Sequence, residues 1–252
     1  MKPPTGWMRF TAALFDMDGV LTRTASLHAA AWKRLFDDVL RRHADGGTFR
    51  PFDEQEDYRR YVDGKLREDG VRSFLESRGI RLPLGGNQGG EEETIAALAK
   101  KKDGYFSALI HEQGVEVYED GVVFLRTVRA WGFKTAVVSA SRHCREVLGS
   151  VDLLSAFDAV VDGEEIRRLH LPGKPDPAAF LEAAKRLDRA PAECIVLEDA
   201  LAGVEAGCRG RFGLVIGVDR VGQSAALCAR GAHVVVSDLR QLLRDGSPKA
   251  AA

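Results

Sequence analysis

Residues 11–22 read TAALFDMDGVLT: a short apolar run stops at two aspartates one residue apart, Asp16 and Asp18, with Gly19 directly after them. An unbroken apolar run of this length reads as a strand covered on both faces, and Asp-Met-Asp-Gly after it reads as a turn at the strand's carboxyl end. Comparable runs follow at 134–139, 159–161, 194–197, 214–218 and 233–236. Helical patterns at 121–131, 142–148, 177–187, 200–209 and 224–230 separate most of them, with Pro177 tolerable at a first helical position. Strand then helix, repeated, predicts an α/β fold in which a parallel sheet carries helices on both faces.

One long interval breaks the alternation. From residue 24 to residue 114 there are helical patterns at 24–43, 67–78 and 91–111 but no strand run, so the stretch reads as a helical insertion after the first strand. The expected division is therefore 1–23 with 115–252 as one domain and 24–114 as another. Inside the insertion, DGGTFRPFD (45–53) and LPLGGNQGG (82–90) are loops by composition, the second made mobile by its glycines.

Composition bounds the chemistry. The 252 residues suffice for one large or two smaller domains, and 45% hydrophobic with 29% charged residues excludes a collagen-like or disordered chain. Thirty-six Lys and Arg against 37 Asp and Glu leave a net charge of −1, so no global field draws the molecule to nucleic acid or an anionic membrane. Cys144, Cys194, Cys208 and Cys228 are far apart and form no CxxC, which fits a reducing compartment. The amino-terminal residues reach Asp16 before any apolar stretch long enough for a signal or a span. The expectation is a cytoplasmic monomer.

Open α/β sheets hold ligands at the carboxyl ends of their strands, which directs attention to the residues following each run. After the first come Asp16 and Asp18, after the second Ser139-Ala140-Ser141, and after the fourth Glu198-Asp199; Gly173-Lys174-Pro175-Asp176 precedes a helix start. Taken singly, an Asp-x-Asp-Gly is a turn, Glu198-Asp199 is an acidic pair at a helix start, and Lys174 is a surface lysine lacking the rest of a P-loop. Taken together, four carboxylates at one edge would repel one another unless a hard cation such as Mg²⁺ neutralised them. In such a cleft Asp16 is the natural nucleophile toward phosphorus and Asp18 the acid and base for the leaving and accepting oxygens. Lys174 offsets charge on the moving phosphoryl group, and Ser139 with the backbone amides around it, Ala140 included, donates to its oxygens.

In that order FDMDGVLT, VVSAS, GKPDP and LEDALAG resemble the four motifs of the haloacid dehalogenase-like phosphotransferase superfamily, over essentially the whole chain. The resemblance implies a Rossmann-like core, a helical cap inserted after the first motif, an aspartyl-phosphate at Asp16, and Mg²⁺ held by the Asp16 side chain, the Asp18 carbonyl and Asp199 with Glu198 in or beside that shell. The dehalogenases lack the acidic residue two after the nucleophile, so Asp18 points to phosphate chemistry.

The insertion is similar to the cap of the β-phosphoglucomutase-like subfamily. TRTASLHAAAWK sets Thr24, His28 and Trp32 at that family's substrate and hinge positions, GKLREDG sets Arg67 at its distal-phosphate arginine, and KKKDGY sets Lys102, with Asp103 where the mutase carries Asn. This implies a small phosphorylated sugar as substrate, with His28 holding Asp18 in its acting position only when the cap is shut. Arg23, Asp63 and Gly70 depart from that pattern, standing where relatives have Asp, Lys and Ser. The leading expectation is interconversion of β-glucose 1-phosphate and glucose 6-phosphate. Competing readings are a sugar-phosphate or disaccharide-phosphate phosphatase on the same core, and a phospho-accepting switch resembling a response-regulator receiver. The switch would need neither Asp18 as acid nor an insertion carrying Arg67 and Lys102.

Overall fold

The computed structural model describes residues 3–44, 49–85 and 93–244. The chain forms two compact units, one of Met1–Arg23 with Val115–Ala252 and the other of Thr24–Gly114.

The larger unit is a six-stranded sheet of β1 (Ala12–Phe15), β2 (Lys134–Val138), β3 (Ala159–Val161), β4 (Cys194–Glu198), β5 (Leu214–Val218) and β6 (Val234–Val236), in the order β3-β2-β1-β4-β5-β6. Every pairing is parallel. All residues of β1, β4 and β5 are buried, as near-continuous apolar strands between two helical layers require. Each Val, Leu or Ile enclosed there contributes roughly 1.5–3 kcal/mol. Helices α4 (Glu119–Ala130), α5 (Cys144–Ser150), α6 (Gly163–Arg168), α7 (Ala178–Arg186), α8 (Leu201–Arg209), α9 (Ser224–Ala229) and α10 (Gln241–Arg244) connect or follow the strands.

In this unit the element ends differ from expectation by a residue or two. Pro177 caps α7 rather than opening it, and Asp176 Oδ1 accepts the Ala178 N–H at 2.9 Å. The short α6 is absent from the periodicity reading because six mostly charged residues carry no apolar repeat; Asp162 Oδ1, accepting the N–H groups of Glu164 and Glu165, starts it.

The smaller unit contains α1 (Ala25–Arg42), α2 (Arg67–Ser77) and α3 (Ile95–Gln113), with a π turn at Tyr58–Val62 that periodicity does not reveal. Thr94 caps α3, its Oγ1 accepting the Ala97 N–H, so the helix begins four residues later than the apolar pattern. Residues 86–92, the glycine-rich tract expected to be mobile, and 45–48 of the other loop lie outside the described residues. In the remainder of that first loop Phe52 is buried and its N–H reaches Asp37 Oδ1 at 2.7 Å, while residues 49–51 and 53 are exposed.

Trp32, at one of the expected substrate and hinge positions, packs into the core of this unit. It is 3% exposed, lies on one face of α1 with Leu35, Phe36 and Val39, and stacks on Phe36 with ring centroids 5.0 Å apart. The i, i+3, i+4, i+7 spacing that makes α1 amphipathic turns it inward.

Candidate active site

Parallel pairing in register sets the site. Phe15 lies opposite Leu197, so the residues next along, Asp16 and Glu198, emerge side by side where neighbouring strands leave toward opposite halves of the sheet. The Asp16 N–H still bonds the Leu197 carbonyl at 2.9 Å, which holds the aspartate in line with the sheet. On the other side Ser139 extends β2, its N–H donating to the Val161 carbonyl at 3.1 Å.

Lys174 is buried and its Nζ donates to Asp16 Oδ1 at 2.5 Å and to Glu198 Oε2 at 2.7 Å. Glu198 Oε1 accepts the Ala200 N–H at 3.2 Å, so both its oxygens are engaged. It ends β4, and α8 begins only at Leu201; the acidic pair is a strand terminus and not a helix start. Two glycines admit the carboxylates. A Cβ on Gly203 would stand 2.0 Å from the Glu198 carboxyl carbon, and one on Gly19, whose φ is +84°, would stand 1.7 Å from Asp199 Oδ2. Ser139 Oγ lies 3.5 Å from Asp18 Oδ2 and accepts the Ser141 N–H at 3.1 Å. Ala140 is half-buried, with its carbonyl where a Cβ on Gly163 would come within 2.5 Å.

The electrostatics are unbalanced in one direction. Burial, then the charges of Glu198 and Asp18, pushes the Asp16 carboxyl well above the usual carboxylate range, against the pull of Lys174. Burial opposes the Lys174 ammonium, but Asp16 and Glu198 more than compensate and hold it protonated well above the ordinary lysine range. Asp16, Glu198 and Asp199 each offer an oxygen within 4.8 Å of the others. An all-oxygen set gathered this closely fits a hard divalent cation such as Mg²⁺.

The expected residues of the smaller unit fall into two groups. Lys102 is 2% exposed, and its Nζ stands 2.5 Å from His28 Nδ1 while the His28 ring stacks on Phe106 at 3.7 Å. With Lys102 Nζ as the donor, Nδ1 accepts, which places the proton of a neutral His28 ring on Nε2. Thr24 is fully buried and its carbonyl accepts the His28 N–H at 2.9 Å. Arg67 opens α2, 9% exposed, and pairs with Asp103 on α3 rather than with its helix neighbours Glu68 and Asp69.

Motif reading passes over the segment after β5. Asp219–Ser224 puts Arg220 on the Gly19 carbonyl at 2.8 Å and Gln223 on the Asp199 carbonyl at 3.0 Å. The signal was available, since the rule that leads from strand ends to Asp16 and Glu198 leads equally to this loop.

A family model described as haloacid dehalogenase-like hydrolase matches residues 10–209. The chain is 46% identical over 238 residues to a β-phosphoglucomutase of Mycobacterium bovis, covering 92% of this chain and 91% of that one. It is 28% identical to a phosphorylated carbohydrates phosphatase of Thermotoga maritima, covering 89% and 93% of the two chains. The crystal structure of a β-phosphoglucomutase from Clostridium difficile superposes with a TM-score of 0.73 at 26% identity, over 92% of this chain and 93% of that one. The chain belongs to the haloacid dehalogenase-like hydrolase family, in its β-phosphoglucomutase-like branch, and is an enzyme of the phosphoglucomutase and phosphatase kind.

Proposed function

We propose that this enzyme is a Mg²⁺-dependent phosphotransferase working through a phosphorylated Asp16, and that it interconverts β-glucose 1-phosphate and glucose 6-phosphate through a sugar bisphosphate. The observation that carries this is the Asp16 carboxylate at the carboxyl end of the central strand, 2.5 Å from Lys174 Nζ and grouped with Glu198 and Asp199. The 46% identity to a β-phosphoglucomutase over most of both chains supports the choice of reaction.

In this reading an Asp16 oxygen attacks phosphorus, the bond from phosphorus to the sugar oxygen breaks, and Asp18 gives that oxygen its proton. In the second half an incoming sugar hydroxyl yields its proton to Asp18 and attacks the phosphorus, freeing Asp16. Lys174 faces the charge that builds on the phosphoryl oxygens, and Ser139 and the Ala140 amide donate to them. Asp16, the Asp18 carbonyl, Asp199 and Glu198 would hold Mg²⁺, which supplies further neutralisation of that charge. Arg67 would grip the non-reacting phosphate as a fork, and the Nε2 proton that Lys102 imposes on His28 suits that ring to donate to a carboxylate.

A second reading, hydrolysis of a phosphorylated sugar, is favoured by the Arg67–Asp103 pair, because a carboxylate on the arginine competes with the second phosphate that a bisphosphate route must retain. One assay separates the two. Purified enzyme is given β-glucose 1-phosphate with a trace of glucose 1,6-bisphosphate and Mg²⁺; formation of glucose 6-phosphate supports the mutase, whereas free phosphate without it rejects the mutase in favour of hydrolysis.

A further inference from the structure

The loop after β5 is built to be stiff. Asp219 Oδ1 accepts the N–H groups of Val221, Gly222 and Gln223 at 3.1, 2.7 and 2.8 Å, and the Ser224 hydroxyl donates to its other oxygen. From this platform two side chains reach the backbone of the candidate site. Arg220 Nε donates to the Gly19 carbonyl at 2.8 Å, and Gln223 Nε2 donates to the Asp199 carbonyl at 3.0 Å.

Arg220 has no donor left for a substrate. Its five N–H groups face the Gly19 carbonyl, both Asp120 oxygens at 3.0 and 3.1 Å, the Ser237 carbonyl at 3.1 Å and the Val20 carbonyl at 3.5 Å. The guanidinium lies over the Tyr118 ring, 3.9 Å from its centroid, and Asp120 is itself buried and also accepts the Leu239 N–H. Its charge is met by Asp120, so its effect on the site is one of geometry.

That geometry is tight where it counts. Gly19 and Asp199 are packed so closely that no Cβ fits between them, and the Gly19 N–H is already tied to the Thr22 carbonyl at 2.8 Å. Rotation of the Gly19 peptide would drive it into the Asp199 carboxylate or away from it. We propose that Arg220 and Gln223 are positioning residues of the divalent-cation site, holding from one rigid loop the Gly19 and Asp199 carbonyls and with them the spacing between the Asp18–Gly19 backbone and the Asp199 carboxylate. This rests on the reading of Asp16, Asp18 and Asp199 as cation ligands. Outer groups that orient metal ligands are worth about 10–100-fold in affinity.

The test is calorimetric titration of Mg²⁺ into the full chain, for the parent protein, Asp199→Asn, Gln223→Leu and Arg220→Lys. Gln223→Leu removes one neutral hydrogen bond at a half-buried position and strands no charge, so it keeps the fold even if Arg220→Lys does not. The expected result is one saturable site in the parent, lost in Asp199→Asn and about tenfold weaker in Gln223→Leu. Turnover lost in that variant returns as Mg²⁺ is raised, with the sugar-phosphate KM at saturating Mg²⁺ unmoved. A Kd within twofold of the parent in both loop variants overturns the positioning role while leaving the cation site standing. A parent protein that shows no saturable Mg²⁺ binding, or an Asp199→Asn variant that binds as well as the parent, overturns the cation site and the positioning role with it.

Discussion

Replacing Lys174 by methionine keeps most of the side-chain volume and deletes the ammonium that bridges Asp16 and Glu198 at 2.5 and 2.7 Å. Removing one partner of a buried ion pair costs about 3–5 kcal/mol, because the charges left behind have neither water nor a counter-ion. The crowding gives a similar figure: two carboxylate charges 4.8 Å apart, the outer limit for Asp16, Glu198 and Asp199, repel by about 3.5 kcal/mol at an effective dielectric constant near 20. The folded protein escapes that cost by taking up a proton. Asp16 already holds its proton above the usual carboxylate range, and loss of Lys174 raises it further. The folded state then binds a proton that the unfolded chain has released. The penalty is thus absent below the ordinary carboxylate pKa, near 4, and grows as pH rises toward the folded-state value. Urea unfolding of parent and variant at pH 5 and pH 8, each with chelator and with excess Mg²⁺, measures this. The expected outcome is a loss of about 3–5 kcal/mol at pH 8 in chelator, a smaller one at pH 5, and partial recovery with Mg²⁺. A loss that is the same at both pH values and indifferent to Mg²⁺ would refute the electrostatic reasoning and leave Lys174 as packing.

Further outcomes follow from the same geometry. Asp16→Asn should abolish turnover with the circular dichroism of the fold intact, and phosphate transfer by that variant would reject the covalent route. Without metal it should also unfold at a higher temperature than the parent, since the carboxyl that burial and Glu198 disfavour is gone while Lys174 keeps Glu198 as partner. Arg67→Ala should lower kcat/KM for a sugar phosphate at least tenfold more than for a minimal aryl phosphate, which offers the arginine nothing to grip; equal losses would make Arg67 purely structural. Gly203→Ala forces a methyl to 2.0 Å from the Glu198 carboxyl carbon and should cost about 1–3 kcal/mol in denaturant unfolding, with turnover lost as Glu198 and Lys174 are displaced.

No helix among the described residues is long and apolar enough to cross a membrane, and all four cysteines are free thiols. Cys194 lies in β4, and burial first, then the neighbouring Glu193, pushes its thiol up to about 12, so it is an inert core group.

Periodicity and strand-end residues alone determined the α/β class, the helical insertion and the motifs that bear the chemistry, because each is written in contiguous residues: an apolar run, a turn, an acidic pair. Distances between those motifs are not contiguous properties. That Lys174 lies between Asp16 and Glu198, 158 and 24 residues away, is a consequence of parallel register and of α7 packing in place after it. The inward turn of Trp32, the pairing of Arg67 with Asp103 and the hold of Arg220 and Gln223 on two carbonyls likewise exist only after packing. Spacing along a chain fixes which face a side chain shares, whereas its partner is chosen by whatever element the core brings against that face.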